Sequence, residues 1–240
     1  MAAYFFSDVH LGLGPPEAEK AKENRLLRFL EGIRPACEEL FILGDLFDFW
    51  FEYRTVIPRG YHRTLAALQA FTDAGVRVRY LVGNHDCWTD GFLETELGME
   101  LHRSPFQAEV QGKKVYLHHG DGLAPADRGY RLLKPLLRSP AGFRLYRWIH
   151  PDIGVRLARG SSRTSRAYTA RKDYGEEEGV AGFARARIEA GADLVVMGHL
   201  HKPSLQRFGS GWYANLGDWI THNTYGEMKE GGFALRTWKE

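Results

Sequence analysis

The chain has 240 residues, 44% of them hydrophobic, and carries 32 Lys and Arg against 30 Asp and Glu, a formal net charge of +2. That is enough apolar material for one sizeable core in an ordinary globular protein, either a single large domain or a domain with an insertion. No apolar stretch approaches bilayer-spanning length, and the two cysteines, Cys37 and Cys87, are too few for a disulfide framework and lack metal-finger spacing, which fits a reducing cytoplasm.

In chain order, Met1 to Phe6 run straight into a strand, without the basic, apolar and cleavage regions of a signal peptide. Ser7-Asp8-Val9-His10 follows, where Asp8 and His10 share one face of an extended segment, because side chains alternate across a strand, and form a chelating pair. Residues 15–22 read as a polar loop or helix start. Leu26, Leu27, Phe29, Leu30 and Ile33 then recur at helical spacing. The apolar run Phe41-Ile42-Leu43 ends in Gly44-Asp45, so a buried strand delivers a carboxylate at its tip. The aromatic stretch to Phe51 suggests a segment folded over a pocket edge, or simply core aromatics at Phe47 and Phe49. A helix over 61–74 ends at Gly75, a fitting position for a glycine just past a helix. A strand over 76–82 leads to Gly83-Asn84-His85-Asp86.

Two strands flanking Gln111-Gly112 form a hairpin whose second arm ends in His118-His119-Gly120-Asp121. After a long helical section, a helix over 176–190 stops at Gly191, and a strand over 193–197 ends in Gly198-His199-Leu200-His201. Segments 212–216 and 232–238 close the chain as β structure. Helices and strands alternate first and strands cluster late, which predicts a mixed sheet or two facing sheets flanked by helices.

Five apolar strands therefore end in Asp8 and His10, Asp45, Asn84, His119, and His199 with His201. Each motif alone is weak, since Gly-Asp is often a turn and a paired His is often a satisfied core group; His118, pointing away from His119, is expected to be one. Five in this order, each behind a strand, point to a common centre. Carboxylate, imidazole and amide donors suit Mn²⁺, Fe²⁺, Zn²⁺ or Mg²⁺, and the absence of thiolates argues against a structural zinc site. One division for two ions puts Asp8, His10 and His201 on the first and Asn84, His119 and His199 on the second, with Asp45 bridging. Such a centre hydrolyses phosphate esters or anhydrides with an activated water and no protein nucleophile. His85 is then placed to stabilise or protonate the leaving oxygen, oriented by Asp48 or Asp86.

These motifs resemble the signature of the calcineurin-like metallophosphoesterases across residues 8–201. The resemblance implies a four-layer αββα sandwich, the ligand division above, and His85 as the catalytic histidine. Within that superfamily the chain is similar to the UDP-2,3-diacylglucosamine hydrolase family of lipid A synthesis. The run Ser7 to Gly12, Gly44 to Trp50, His119 to Leu123 leading to Asp127 and Tyr130, and a helical insertion before the last His motif carry that similarity. It implies Mn²⁺-dependent attack of water on the α-phosphorus of the lipid-linked nucleotide, giving UMP and a diacylglucosamine 1-phosphate. Many members have Arg where this chain has His85; a related branch assigned the same reaction keeps the His.

Residues 127–172 hold twelve Lys or Arg and two acidic residues, so the remainder of the chain sums to −8. Leucines and aromatics interleave with these cations, which predicts a basic amphipathic helical cap within a single domain of residues 1–240. Such helices suit an enzyme lifting a lipid from an anionic surface, and the expected location is cytoplasmic, peripheral on the inner membrane. The plainer reading is a solvated basic cap packed on the body. Substrate contacts are expected from Asn84, His85 and His199 at the centre, from Ser162, Arg163 and Arg166 in the cap, and by family match from Asp127 and Tyr130. No nucleic acid or obligate protein partner is expected. Another nucleotide pyrophosphatase, a nuclease gripping a polyanion with the cap, and an inactive scaffold of the same fold are the competing readings. The scaffold's hallmark would be eroded ligands, and none is missing.

Overall fold

A computed structural model describes residues 1–123, 139–157 and 175–239 of the chain. Two sheets form its centre. The first has six strands in the order β11-β10-β1-β2-β3-β4, with β1 Ala2–Phe6, β2 Cys37–Ile42, β3 Arg77–Leu81, β4 Glu100–His102, β10 Thr224–Lys229 and β11 Gly232–Thr237. The second has five in the order β5-β6-β7-β9-β8, with β5 Phe106–Val110, β6 Lys113–His118, β7 Leu194–Met197, β8 Ser204–Phe208 and β9 Gly211–Asn215. Strands β1, β2, β3 and β4 run parallel, as do β6, β7 and β9.

Side-chain alternation assigns each face. In β1, Ala3 and Phe5 join Phe41 and Leu43 against Val115, Leu117, Leu194, Val196 and Ala214, the layer between the two sheets. Tyr4 and Phe6 point the other way, onto helices α1 (Pro16–Ile33) and α2 (His62–Asp73) through Leu26, Phe29, Leu68 and Phe71. In β7, Val195 and Met197 instead meet Val180, Ala184 and Ile188 of a helix at Glu176–Glu189. The order is helix, sheet, sheet, helix, the expected four-layer sandwich. Strands β1 and β7 are buried along their whole length because both of their faces are covered.

Four α-helices remain to be labelled among the described residues. They are α3 (Phe92–Thr95), α4 (Pro140–Tyr146), the helix 151–157 (α5), and the Glu176–Glu189 helix, α6 in this order. Helix α4 is capped by the Ser139 hydroxyl, which accepts the Gly142 N–H at 3.0 Å. The hairpin turn holds Gln111 at φ +48° and Gly112 at φ +77°, the doubly positive geometry that matches strand twist in two-residue turns. Helix α1 starts at Pro16, so the polar stretch before Asn24 is helical, with proline at a first-turn position where its missing N–H costs nothing.

Candidate metal centre

Chain direction decides where chemistry can sit. Five loops leave the carboxyl ends of parallel strands, where α/β sheets open a crevice: after Phe6 in β1, Ile42 in β2, Leu81 in β3, His118 in β6 and Met197 in β7. The two sheets face each other with these ends together. Leu43 N–H donates to Phe6 O, Asp8 N–H to Gly44 O and His10 N–H to Asp45 O, which stitches the first two loops side by side. Gly198 N–H donates to His119 O and joins the last two.

One expectation is corrected here. Asp8 and His10 do not share the face of an extended segment, because β1 ends at Phe6 and both residues are left-handed, at φ +55° and +48°. Asp45, His199 and His201 are left-handed as well, at +53°, +70° and +55°. Five of the eight non-glycine residues with positive φ among the described residues are thus candidate ligands. Each costs on the order of 1–2 kcal/mol relative to ordinary backbone. The turn swings each side chain back over the strand end instead of continuing along it.

Glycines make room for this packing. A Cβ on Gly44 would lie 2.6 Å from Gly83 Cα and 2.7 Å from His119 Nδ1, and one on Gly83 would collide with the Asp45 carboxylate. Only bare backbone lets these loops close on one point.

The converging atoms divide into neighbouring groups. Asp8, His10 and His201 each bring one donor atom within 4.8 Å of the others, as do Asp45, His119 and His199; a third set, His10, Asp48 and His85, overlaps the first through His10. His10 Nε2 and His201 Nε2 face each other at 3.3 Å. Asn84 Oδ1 lies 3.0 Å from His119 Nε2, beside the second group. Asp45 Oδ2 stands 3.6 Å from His10 Nε2 and 3.3 Å from His119 Nε2. Its other oxygen is spoken for, accepting the His85 N–H at 2.9 Å. A bridge at Asp45 would therefore run through the single oxygen Oδ2.

The donor set fits divalent cations. Asp8 Oδ1 is buried without a hydrogen bond, 3.7 and 3.4 Å from Nε2 of His10 and His201. A buried, unpartnered carboxylate oxygen aimed at two imidazole nitrogens is an orphan that a cation would satisfy. Asp8 Oδ2 is occupied by the His199 N–H at 2.8 Å. Outer partners fix the rings as metal sites require: His119 Nδ1 donates to Leu43 O at 2.7 Å, leaving Nε2 as the nitrogen turned toward Asn84 and Asp45. His201 Nδ1 is 3.5 Å from Asp218 Oδ2, and Asp218 Oδ1 is anchored by the amides of Ile220, Thr221 and His222.

In the metal-free chain, protons take the place of the cations. Burial disfavours the imidazolium of His10, but Asp48 and Asp8 overcome it and raise its pKa to about 9. His119 behaves likewise, burial being outweighed by Asp45, and reaches about 10. Asp45 is held well below the usual carboxylate range because the charges of His119, His85 and His10 overcome its burial. His199, buried and beside the His119 charge, falls to about 4. A site that concentrates opposing shifts in one cleft is a candidate for function.

His85 lies next to this pair of groups, its ring 4.9 Å from that of His10. Asp48 sits behind it differently from the expected carboxylate contact. The Asp48 backbone carbonyl is 3.0 Å from His85 Nδ1, while its carboxylate is 3.8 Å away and lies closer to His10 Nδ1, at 3.4 Å. Asp86 does not orient His85 at all. Its buried carboxylate accepts the N–H groups of Leu46 and Gly83 and the Tyr80 hydroxyl, tying the Asp45 loop to the Asn84 loop. His118 faces the outer helix, 5.3 Å from the Phe183 ring, and accepts the Gly120 N–H, as expected for a core histidine.

Phe47 and Trp50 belong to the core under α1 and α2. Phe49 and Phe51 instead form a wall with Trp88 and with Phe143 and Tyr146 of α4, at ring separations of 4.7–6.4 Å. The core reading therefore holds for Phe47, while Phe49 lies in the wall with Phe51. Beyond the wall a groove of ≈ 520 Å³ is lined by Tyr53, Arg54, Val56, Arg144, Arg147 and Trp148. Asp127, Tyr130, Ser162, Arg163 and Arg166 lie outside the described residues. Sequence reasoning missed Asp218 and the roles of Glu19 and Lys22; Gly217-Asp218-Trp219, behind a strand, was the available signal for the first.

The calcineurin-like phosphoesterase family pattern matches residues 1–203. A UDP-2,3-diacylglucosamine hydrolase of Porphyromonas gingivalis (strain ATCC BAA-308 / W83) is 34% identical, with 92% of each chain covered. One of Stenotrophomonas maltophilia (strain R551-3) is 30% identical, covering 99% of this chain and 98% of its own. Among solved structures, an archaeal phosphodiesterase superposes with a TM-score of 0.52 at 12% identity, over 99% of this chain and 100% of that one, a likeness of fold.

Proposed function

The chain belongs to the calcineurin-like phosphoesterases, and from that premise we propose that it hydrolyses the diphosphate of UDP-2,3-diacylglucosamine to UMP and 2,3-diacylglucosamine 1-phosphate, water entering at the α-phosphorus. The observation that carries the reaction class is Asp45 Oδ2, set between the two donor groups at 3.6 and 3.3 Å from His10 and His119. The names of near-full-length relatives support the substrate.

In this reading Asp8, His10 and His201 hold one divalent ion, Asn84, His119 and His199 a second, and Asp45 both. When bound, the ions activate water and neutralise phosphate oxygens; Mn²⁺ is the proposed occupant. The chain supplies the rest. His85, its Nδ1 donating to the Asp48 carbonyl, is the residue that would protonate or stabilise the departing phosphate oxygen through Nε2. Asn84 and His199 border the substrate phosphates. Phe49, Phe51, Trp88 and Tyr146 offer an apolar wall beside this centre, and the Arg-lined groove beyond it suits an amphiphile with a charged head.

The segment 127–172 is proposed as a cap on the single domain, with Asp127, Tyr130, Ser162, Arg163 and Arg166 as its substrate contacts. Within its described part, Leu145, Trp148, Ile153 and Leu157 are exposed beside Arg144 and Arg156. This combination supports peripheral contact with an anionic bilayer, on the cytoplasmic face of the inner membrane. No helix among the described residues is long and apolar enough to cross one.

The test is product analysis by mass spectrometry after incubation with Mn²⁺ and the lipid-linked nucleotide in mixed micelles made up in ¹⁸O water. UMP carrying the label is expected. Turnover of a generic aryl phosphodiester with none of the lipid nucleotide would keep the two-ion chemistry and favour another nucleotide pyrophosphatase or phosphodiesterase. His85, where Arg is common among the hydrolases, is the residue that keeps that second reading open.

A further inference from the structure

Helix α1 opens with Pro16-Glu17-Ala18-Glu19-Lys20-Ala21-Lys22-Glu23, a run that by composition belongs on a solvated face. Two of its charges turn inward. The Lys22 side chain is only 8% exposed, and its ammonium donates to the His10 carbonyl at 2.6 Å and to Glu19 Oε1 at 2.9 Å. Glu19 in turn accepts the N–H of Gly12 at 2.6 Å and of Gly14 at 2.8 Å. One ion pair thus holds three backbone groups of the loop that carries His10.

That loop needs holding. His10 is left-handed, and so is Gly12, at φ +96°. Its other backbone ties run inward: His10 N–H to Asp45 O, Leu11 N–H to Leu46 O, Asp48 N–H to Leu11 O. On the outer side, the His10 carbonyl has the Leu13 N–H at 3.2 Å and the shorter bond from Lys22. Removing an ammonium from water costs several kcal/mol unless good geometry offsets it, so a buried lysine at this spot calls for a reason beyond helix formation.

We propose that Lys22, clamped by Glu19, is a positioning residue for the Asp8, His10 and His201 site: it fixes the His10 backbone so that Nε2 stays on the point where Asp8 Oδ1 and His201 Nε2 meet. This rests on the two-ion reading given above. A purely electrostatic role has the opposite sign, since removing a positive charge beside an acidic centre would tighten a cation. A purely architectural role would lower thermal stability and leave cation affinity alone.

The experiment titrates Mn²⁺ into metal-free protein, following the free-ion EPR signal, for wild type, Lys22→Met and Glu19→Ala, with melting temperatures measured in parallel. The wild type is expected to take up two ions. Lys22→Met should weaken the tighter or the weaker of them by roughly 10–100-fold, the range for lost outer partners of metal ligands, while the other changes little. Glu19→Ala should shift the same ion in the same direction. Should Lys22→Met fail to fold, Glu19→Ala, altered at a side chain 19% exposed, decides alone. Two ions bound with unchanged or higher affinity in the variants would overturn the positioning role and leave the two-ion centre intact. A wild type that takes up no Mn²⁺ would remove both.

Discussion

At the scale of single residues, the two oxygens of the Asp45 carboxylate have separate tasks. Asp45 gives Oδ1 to the His85 amide and keeps Oδ2 for the middle of the site. His85 gives Nδ1 to the Asp48 carbonyl. Replacing His85 with Ala removes a proton donor without touching the candidate ligands, so turnover should fall by roughly 10²–10⁴ with metal content unchanged. Steady-state rates together with elemental analysis check this, and an unaltered rate would place leaving-group protonation elsewhere. Titration gives a second expectation. His10 and His119, with pKa values of about 9 and about 10, are both charged in metal-free protein at pH 7.5, whereas His199, at about 4, is neutral. Because an imidazole binds metal only when neutral, loading should release about two protons, and affinity should rise with pH until those groups are deprotonated. Calorimetry in buffers of different ionisation enthalpy measures this count. A count of zero would mean that His10 and His119 carry no proton in the free protein.

At the scale of elements, what matters is that five loops meet with almost no space between them. Gly83 shows how little: an added Cβ would press on the Asp45 carboxylate and lie 2.6 Å from the Asp45 backbone nitrogen. Gly83→Ala should therefore shift the Asp45 carboxylate, and a misplacement of about 1 Å can cost on the order of 10² in rate. Folding should suffer by only about 1–3 kcal/mol, the usual range for overpacking. Comparing turnover with denaturation midpoints separates the two, and an active Gly83→Ala enzyme would show that the loops can yield. This closeness explains what the sequence could tell. Strands that end in Gly-Asp, Gly-Asn or Gly-His were legible, because buried strands read as apolar runs and their tips as breaks. The left-handed turns at Asp8, His10, His199 and His201 were not, since such turns in non-glycine residues come from tertiary hydrogen bonds. Strand β8 was missed because, as an edge with exposed Leu205, Gln206 and Arg207, it lacks alternation, and β10 because Gly226 interrupts it where Phe233 packs close. Lys22 was unreadable for the opposite reason: nothing in a charged helical run says which charge turns inward.

At the scale of the whole molecule, positive charge is concentrated in one segment that also exposes large apolar side chains. Segment 127–172 carries a surplus of ten positive charges on a chain of +2, and in its described part Trp148 is 89% and Leu145 73% exposed. Helix α4, which bears Leu145, is not free to drift. Phe143 and Tyr146 pack on Phe51, and Arg147 pairs with Asp90. The helix is thus anchored by one face to the aromatic wall beside the centre and presents its other face outward. An outward apolar face on an anchored helix next to the site would bring the mouth of the active centre to the bilayer, so that substrate is taken from the membrane without crossing water. Trp148→Ala should then raise the KM for the micellar lipid nucleotide by roughly tenfold, the equivalent of about 1.4 kcal/mol, a fraction of what burying such a side chain contributes. The kcat should be unchanged, and so should hydrolysis of a water-soluble aryl phosphodiester, which never meets the interface. Binding to vesicles containing anionic phospholipid should weaken in the same variant, and weaken further with added salt because the flanking arginines are screened. If Trp148→Ala affected both substrates equally, the face would be acting on the centre through α4, and the membrane would have no part in it.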